Sequence, residues 1–273
     1  MSNKPVITAV MVTYHTGPRL RDSLNALAFD PQVSEIVIVD NGNPEADQAW
    51  LDGFAGGHAT RVKLVRPREN LGFGRACNLG AREARGNLLL FINPDAVMKR
   101  GSVKAMVEAS AGKPVPWLVG GKIFGPDGRE QRGARRRELT LMRALGLSRW
   151  TLEKLPEPDS PIPVDAISGA FFMMAKQQFL MLDGGFDGAY FLHVEDIDLC
   201  RRVREAGGTV IYQPAAGALH YGSTSGMPSA EVASLKADSL TYYFRKFARS
   251  PLAKLANLAV LPAMAWAVKR RSS

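Results

Sequence analysis

Cysteine is almost missing from this sequence, with only Cys77 and Cys200 among 273 residues. They stand far apart, each in a segment that reads as helical. Neither a disulfide framework nor a thiolate zinc site is therefore expected, and the cytosol is the expected compartment. No targeting segment is expected either. The start, MSNKPVITAVMVTYH, has one lysine before a short β-branched run and no small-residue cleavage site, so it reads as a buried first strand. The chain contains no Walker loop, complete GxGxxG or HExxH motif, which leaves kinase, dinucleotide and zincin readings without support. Internal repeats and low-complexity segments are absent as well.

Acidic residues stop at Asp238. Beyond it come seven basic residues (Arg245, Lys246, Arg249, Lys254, Lys269, Arg270 and Arg271) and no Asp or Glu. The net charge is +9, yet up to Asp238 the balance is 28 basic against 26 acidic residues. An excess confined to the tail fits an anionic lipid surface and not a nucleic-acid groove, so no nucleic-acid partner is expected. A second basic cluster, Arg129 to Arg137, is also local. Within Leu252 to Val268 the apolar run is interrupted by Lys254, Asn257 and Pro262. It reads as too short and too interrupted to span a bilayer, and suits a helix lying in the interface, packed on the domain or against another subunit.

Hydrophobic residues make up 46% and charged residues 22%, an ordinary globular balance. Val6 to Thr13 reads as a strand, Leu20, Leu24 and Leu27 keep helical spacing after Pro18, and Ile36 to Val39 form a second strand. A polar turn from Asp40 to Pro44, a helix, a third strand around Val62 to Val65, a helix from Phe73 to Arg85 stopped by Gly86, and the strand Leu88 to Ile92 continue the alternation. A helix near Val103 to Ala109 and a strand near Leu118 to Phe124 precede an irregular Arg-rich, Pro-punctuated stretch reaching Pro163. Asp165 to Met174 then reads as a buried strand, Glu195 to Ala206 as a helix closed by Gly207, and Thr209 to Tyr212 as another strand. This order predicts an α/β fold with a mostly parallel, doubly wound sheet over residues 1–238 and a basic helical tail over 239–273.

Such sheets place ligands beyond the carboxyl ends of their strands. Here those positions are polar each time: Thr13, Tyr14 and His15, then Asp40 and Asn41, then Asn70, then Asn93 and Asp95. Polar loops are common singly, but four in succession point to a binding crevice.

Four ordered segments carry a resemblance: VMVTYH (10–15), IVIVDNG (36–42), NLGFGRACNLGAREARGNLLLFINPDA (70–96), and SGAFFMM with GGFDGAYFLHVEDIDLCRRVREAGG (168–174 and 184–208). Together they resemble the family 2 glycosyltransferases of GT-A fold, especially bacterial rhamnosyltransferase-like and galactofuranosyltransferase-like members, over roughly residues 6 to 225. The resemblance implies an inverting hexosyltransferase working with a nucleotide-sugar donor. Thr13, Tyr14, His15 and Asp40 then hold the nucleotide, with Asn70 and Asn78 lining the same pocket; packing or capping is the plainer alternative for Tyr14 and Asn78.

Asn93-Pro94-Asp95 stands where the family usually carries Asp-x-Asp, so this sequence keeps one of two carboxylates. The resemblance implies Mg2+ or Mn2+ held by Asp95 and His220, largely through substrate phosphate oxygens. A structurally bonded histidine is the alternative at 220. Ser168 and Gly169 are expected beside the donor sugar, or else simply packed in a buried strand. Glu195, Asp196 and Asp198 cluster where a helix dipole alone would favour carboxylates. By resemblance Asp196 is the general base, Glu195 orients the acceptor, and Asp198 is structural, paired with an arginine of its own helix.

The implied donor is dTDP-L-rhamnose, with UDP-galactofuranose or another UDP-sugar next, and the implied acceptor a glycan or lipid-linked glycan of cell-envelope polysaccharide. The expected location is cytoplasmic, peripheral on the inner face of the cytoplasmic membrane. Two other functions stay in view. A nucleotidyltransferase should carry a Gly-rich phosphate loop after the first strand, which Thr13-Tyr14-His15 is not. A non-catalytic nucleotide-binding protein would bind donor without turnover, and retention of Asp95 and Asp196 speaks against it.

Overall fold

The structure is a computed structural model, and it describes residues 5–145, 152, 155–222 and 226–270. In chain order its elements are β1 (Ile7–Thr13), α1 (Arg19–Phe29), β2 (Val33–Asp40), α2 (Glu45–Gly57), β3 (Val62–Val65), α3 (Phe73–Glu83), β4 (Leu88–Ile92), β5 (Ala96–Met98), α4 (Ser102–Ser110) and β6 (Trp117–Phe124). There follow β7 (Arg135–Arg136), α5 (Leu141–Ala144), β8 (Ile162–Pro163), β9 (Ala166–Ile167), β10 (Phe171–Ala175), α6 (Lys176–Met181), α7 (Glu195–Glu205), β11 (Thr209–His220), α8 (Ser229–Lys246) and α9 (Pro251–Arg270).

The main sheet runs β3-β2-β1-β4-β10-β6-β11-β5, with β8 added against β11. Its first four strands are parallel, β10 lies antiparallel to both β4 and β6, and β11 is again parallel to β6. β1 and β4 are buried along their whole length and β2 at all but one residue. That burial explains why they read as unbroken apolar runs, since helices cover both faces of a parallel sheet. Gly80 lets α3 lie close on this sheet, because a Cβ there would come within 2.6 Å of a Val10 methyl. Phe91, Phe172, Phe179 and Phe186 form one aromatic cluster where β4 meets β10. It anchors the segment that leads into α7.

Three expectations change. The strand expected over Asp165 to Met174 is broken at Ser168–Ala170, which lie between β9 and β10. There the Gly169 N–H donates to the Asp196 carboxylate and the Ala170 N–H to the Ser168 hydroxyl, so neither serves a strand ladder. The strand expected at Thr209 to Tyr212 continues to His220, with a register shift against β6 between Gln213 and Gly217. The division after Asp238 falls inside α8, so the helical hairpin starts at Ser229.

α8 and α9 pack on each other around a second core of Tyr190, Val194, Leu240, Tyr243, Leu261 and Met264. The Asn257 amide donates to the Phe244 carbonyl at 2.7 Å, which places this interrupting polar residue on the inner face. α9 has 20 residues and is long and apolar enough to cross a membrane by length and composition, more than the interrupted run suggested. Arg271, at the end of the basic tail, lies outside the described residues, as do residues 146–151, 153 and 154 of the stretch expected to be irregular.

Candidate active site

The carboxyl ends of β1, β2 and β4, the Ser168–Ala170 break and the start of α7 meet along one edge of the sheet. At the first two ends the residues form a closed polar network. The Asp40 Oδ1 accepts from the Asn43 backbone at 3.0 Å and from the Asn43 amide at 2.8 Å, while Oδ2 accepts from Arg66 Nε at 2.9 Å. Burial opposes ionisation of Asp40, but the Arg66 and Asn43 hydrogen bonds outweigh it and hold the carboxyl below its ordinary value. Thr13 is fully buried beside Thr16 and Asn43, and the His15 N–H donates to Asn43 Oδ1 at 2.8 Å. Tyr14 and the exposed His15 stack at a tilt with centroids 4.4 Å apart, presenting two rings at the mouth.

Asn70 Oδ1 accepts from the Asn41 amide at 2.7 Å and from the Gly72 N–H at 2.9 Å, which shapes the turn into α3. Gly72 has φ +73°, and a Cβ there would lie 2.4 Å from the Phe191 carbonyl oxygen. Only glycine allows this loop to touch the segment before α7. Asn78 does not line the pocket as expected. Its Nδ2 donates to the Phe186 carbonyl and its Oδ1 accepts from the Phe186 N–H, so both amide ends clamp α3 to the aromatic cluster.

Beyond β4 the Asn93 N–H donates to the Ala170 carbonyl at 2.9 Å, tying the Asn93-Pro94-Asp95 turn to the Ser168–Ala170 break. Asp95 is buried; its Oδ2 accepts from the Gly222 N–H at 2.8 Å, and its Oδ1 stands 3.4 Å from His220 Nε2. His220 Nδ1 lies 2.7 Å from Gln131 Oε1, while Gln131 donates its own amide to the His220 carbonyl at 2.7 Å. Gln131 therefore fixes the proton on Nδ1 and leaves the Nε2 lone pair aimed toward Asp95 and Asn93. Asn93 Nδ2 lies 3.3 Å from His220 Nε2, and Asn93 Oδ1, at the other end of that amide, is buried and finds no hydrogen-bond partner among the described residues.

This donor set suits a divalent ion. Two donors 3.4 Å apart can both reach one ion at about 2.1 Å. Among the described residues no three His, Cys, Asp or Glu side chains gather into a metal group.

α7 starts from backbone that few residues tolerate. His193 and Val194 have φ of 68° and 73°, left-handed values that are strained for a β-branched residue. The turn sets Asp196 against Gly169, where an added Cβ would meet the Asp196 Cβ at 3.1 Å. Asp196 Oδ2 accepts from the Gly169 N–H at 2.9 Å and from Arg136 Nη1 at 3.2 Å, and Oδ1 accepts from the Ile197 N–H at 2.8 Å. Its side chain is partly buried. Its neighbour Glu195 is turned inward, buried, with Oε2 lacking any partner among the described residues. Burial, and then the negative charge of Asp196, push the Glu195 pKa up to about 8. Any influence of Glu195 on an acceptor would therefore pass through Asp196. Asp198 accepts from Arg202 of its own helix, from Lys246 and from the Tyr190 hydroxyl, which joins α7 to α8.

Arg66, Asn43, Gln131 and Arg136 complete these groups and carry no local sign in the sequence. Arg136 lies 60 residues from Asp196 and Gln131 lies 89 from His220, so only the fold reveals them.

Residues 8–175 match the family model for Glycosyl transferase family 2. The chain is 30% identical over 242 residues to the N-acetylglucosaminyl-diphospho-decaprenol L-rhamnosyltransferase of Mycobacterium tuberculosis, covering 79% of this chain and 76% of that protein. It is 28% identical over 222 residues to the rhamnosyltransferase WbbL of Escherichia coli, covering 74% and 77%. Among solved structures it resembles GalNAc-T7 with UDP, GalNAc and Mn2+ at TM-score 0.68 and 17% identity, over 93% of this chain and 52% of that one. It also resembles the mannosyltransferase PcManGT from Pyrobaculum calidifontis with GDP-Man and Mn2+, at TM-score 0.65 and 18% identity, over 99% and 74%.

Proposed function

This chain belongs to glycosyltransferase family 2, and on that premise we propose that it moves L-rhamnose from dTDP-L-rhamnose to a hydroxyl of a lipid-linked glycan, with inversion, in cell-envelope polysaccharide synthesis. One observation carries the reading. The pair Asp95 and His220 is joined to the carboxylate of Asp196 through Asn93, Ala170 and Gly169, so a diphosphate site and a base site share one short strip of backbone.

In this reading Thr13, Tyr14, His15 and Asp40 hold the nucleoside, and Asn70 keeps the neighbouring loop in shape. Asp95 and His220 would hold Mg2+ or Mn2+, which when bound neutralises charge on the leaving diphosphate. Ser168 and Gly169 let backbone approach the donor sugar. Asp196 takes the proton from the acceptor hydroxyl as that oxygen attacks the sugar carbon from the face opposite the leaving group. Gly169 aims the carboxylate, and the buried Glu195 backs it without adding a second full charge at neutral pH.

The test is transfer from a panel of nucleotide sugars to a short-chain lipid-diphosphate N-acetylglucosamine. Rhamnosylated product from dTDP-L-rhamnose is expected. Product only from a UDP-sugar such as UDP-galactofuranose would replace the donor, and donor binding without product would leave a non-catalytic nucleotide-binding protein.

The tail fits a peripheral position on the cytoplasmic face of the membrane. On the outer face of α9, Leu252, Leu255, Leu258 and Trp266 are exposed. Lys246 and Arg249 are engaged with Asp187, Asp198 and Glu205, so the attraction to lipid is smaller than the count of cations implies. Each remaining basic residue near an anionic surface contributes about 1 kcal/mol. The protein is expected to sediment with anionic but not neutral liposomes, with binding weakened by high salt. Leu255→Glu with Leu258→Glu should abolish sedimentation while the inner face of α9 stays packed. Binding to anionic liposomes that survives both changes would remove α9 as the contact.

A further inference from the structure

The Arg129–Arg137 cluster resolves into residues with separate tasks. Arg135 is buried, paired with Glu130 and donating to the Leu155 and Pro156 carbonyls, so it is structural. Arg136 is different. It stands on β7, which pairs with β9 through Arg136 and Ala166, and its guanidinium folds back over Gly133 toward the site. An added Cβ at Gly133 (φ +130°) would lie 2.7 Å from Arg136 Nη2, so glycine is what permits that path. The guanidinium makes one hydrogen bond among the described residues, to Asp196, and its side chain keeps 29% of its exposure.

Lys236 stands on α8, one turn before Ser239, whose hydroxyl is bonded to the Leu192 carbonyl. It keeps solvent contact, yet enough protein surrounds its ammonium that burial, followed by the charges of Arg136 and Arg132, draws its pKa down. His193 is affected alike, by burial first and then by Lys236. Among the described residues Lys236 has no ion-pair partner, and both it and Arg136 act on the single carboxylate of Asp196. Two like charges sharing one carboxylate are stabilised by an incoming anion.

Resting on the transfer reading above, we propose that Arg136 and Lys236 bind the phosphate of an acceptor whose glycan is carried on a phosphate or diphosphate, and that binding draws Arg136 away from Asp196. The position favours the acceptor over the donor as the source of that phosphate. Donor phosphates belong beside Asp95 and His220, whereas Arg136 touches the carboxylate that must face the acceptor hydroxyl. α8 also runs on into the exposed apolar face of α9, where a lipid tail would lie. Withdrawal of Arg136 removes one of the two donors that occupy Asp196 Oδ2, leaving a lone pair for the acceptor hydroxyl.

The experiment compares two acceptors with the same sugar, one on a short prenyl diphosphate and one on a neutral alkyl chain, and measures direct binding of the prenyl diphosphate without sugar. Wild type should prefer the diphosphate acceptor. Lys236→Ala and Arg136→Gln should each reduce that preference by about tenfold or more, the scale of one lost charge-assisted contact, and should weaken prenyl diphosphate binding similarly. Arg136→Lys should restore part of the preference. Both acceptors falling together while the KM for donor rises would assign these cations to the donor and overturn the proposal. Unaltered binding of prenyl diphosphate in both variants would also overturn it. Absence of transfer from every donor, with prenyl diphosphate binding still sensitive to Lys236, would instead count against the transfer reading alone.

Discussion

Asp196→Asn is expected to cut turnover roughly a hundredfold or more while leaving thermal stability and donor affinity near wild type, the scale of a lost general base. The amide is nearly the same size, and one of its ends can still accept from the Gly169 N–H, which now holds the Asp196 carboxylate at 2.9 Å. What disappears is the oxygen that can take a proton. Glu195→Gln makes the contrast. Glu195 is buried and holds its proton up to about pH 8, so a neutral amide resembles its state at neutral pH and should cost much less activity. The same substitution has a stability signature. A folded-state pKa raised above the ordinary 4.5 means that the folded protein binds the extra proton, so stability falls as pH rises from about 4.5 to about 8. Glu195→Gln should flatten that dependence in thermal melts. Steady-state kinetics of both variants decides the assignment: full turnover in Asp196→Asn would remove Asp196 as the base, and a larger loss in Glu195→Gln would exchange the two roles.

The first half of the fold was legible because its signals are local. β4 and the centres of β1 and β2 are buried on both faces and read as apolar runs, and Leu20, Leu24 and Leu27 mark the inner face of α1 through helical period alone. The Asp198–Arg202 pair was legible for the same reason, one turn apart on α7. The break at Ser168–Ala170 was not, because its cause is a carboxylate 27 residues away that takes the Gly169 N–H. Asn78 was misplaced because only the fold brings Phe186 to both ends of its amide. The same holds for Arg66, Gln131 and Arg136, whose partners come from other strands and loops. The residue types needed for the chemistry could be read in advance. Which of them face the crevice, and which support it from behind, required the packing.

Chelation of divalent metal is expected to abolish transfer or reduce it severely, with Mn2+ or Mg2+ restoring it. The protein side of this site is sparse, with Asn93 where a second carboxylate would have stood, so Asp95 and His220 carry most of the affinity. Asp95→Ala and His220→Ala should therefore each weaken Mn2+-supported binding of the donor nucleotide by about tenfold or more, read by titration calorimetry with and without Mn2+. Asp95 also accepts from the Gly222 N–H, so Asp95→Asn serves as the companion that keeps a similar shape while removing the charge. Gln131→Leu is the discriminating variant. Gln131 touches His220 from the side away from Asp95 and fixes its tautomer, and losing such support typically costs 10–100-fold in metal affinity. A ligand histidine should thus be impaired by Gln131→Leu in its Mn2+ dependence, with higher Mn2+ concentrations rescuing activity. A histidine bonded only for structure would instead lose thermal stability and show no rescue. Full activity in chelator with unchanged donor affinity would mean that side-chain cations neutralise the leaving diphosphate and that the pairing of His220 with Asp95 serves the fold.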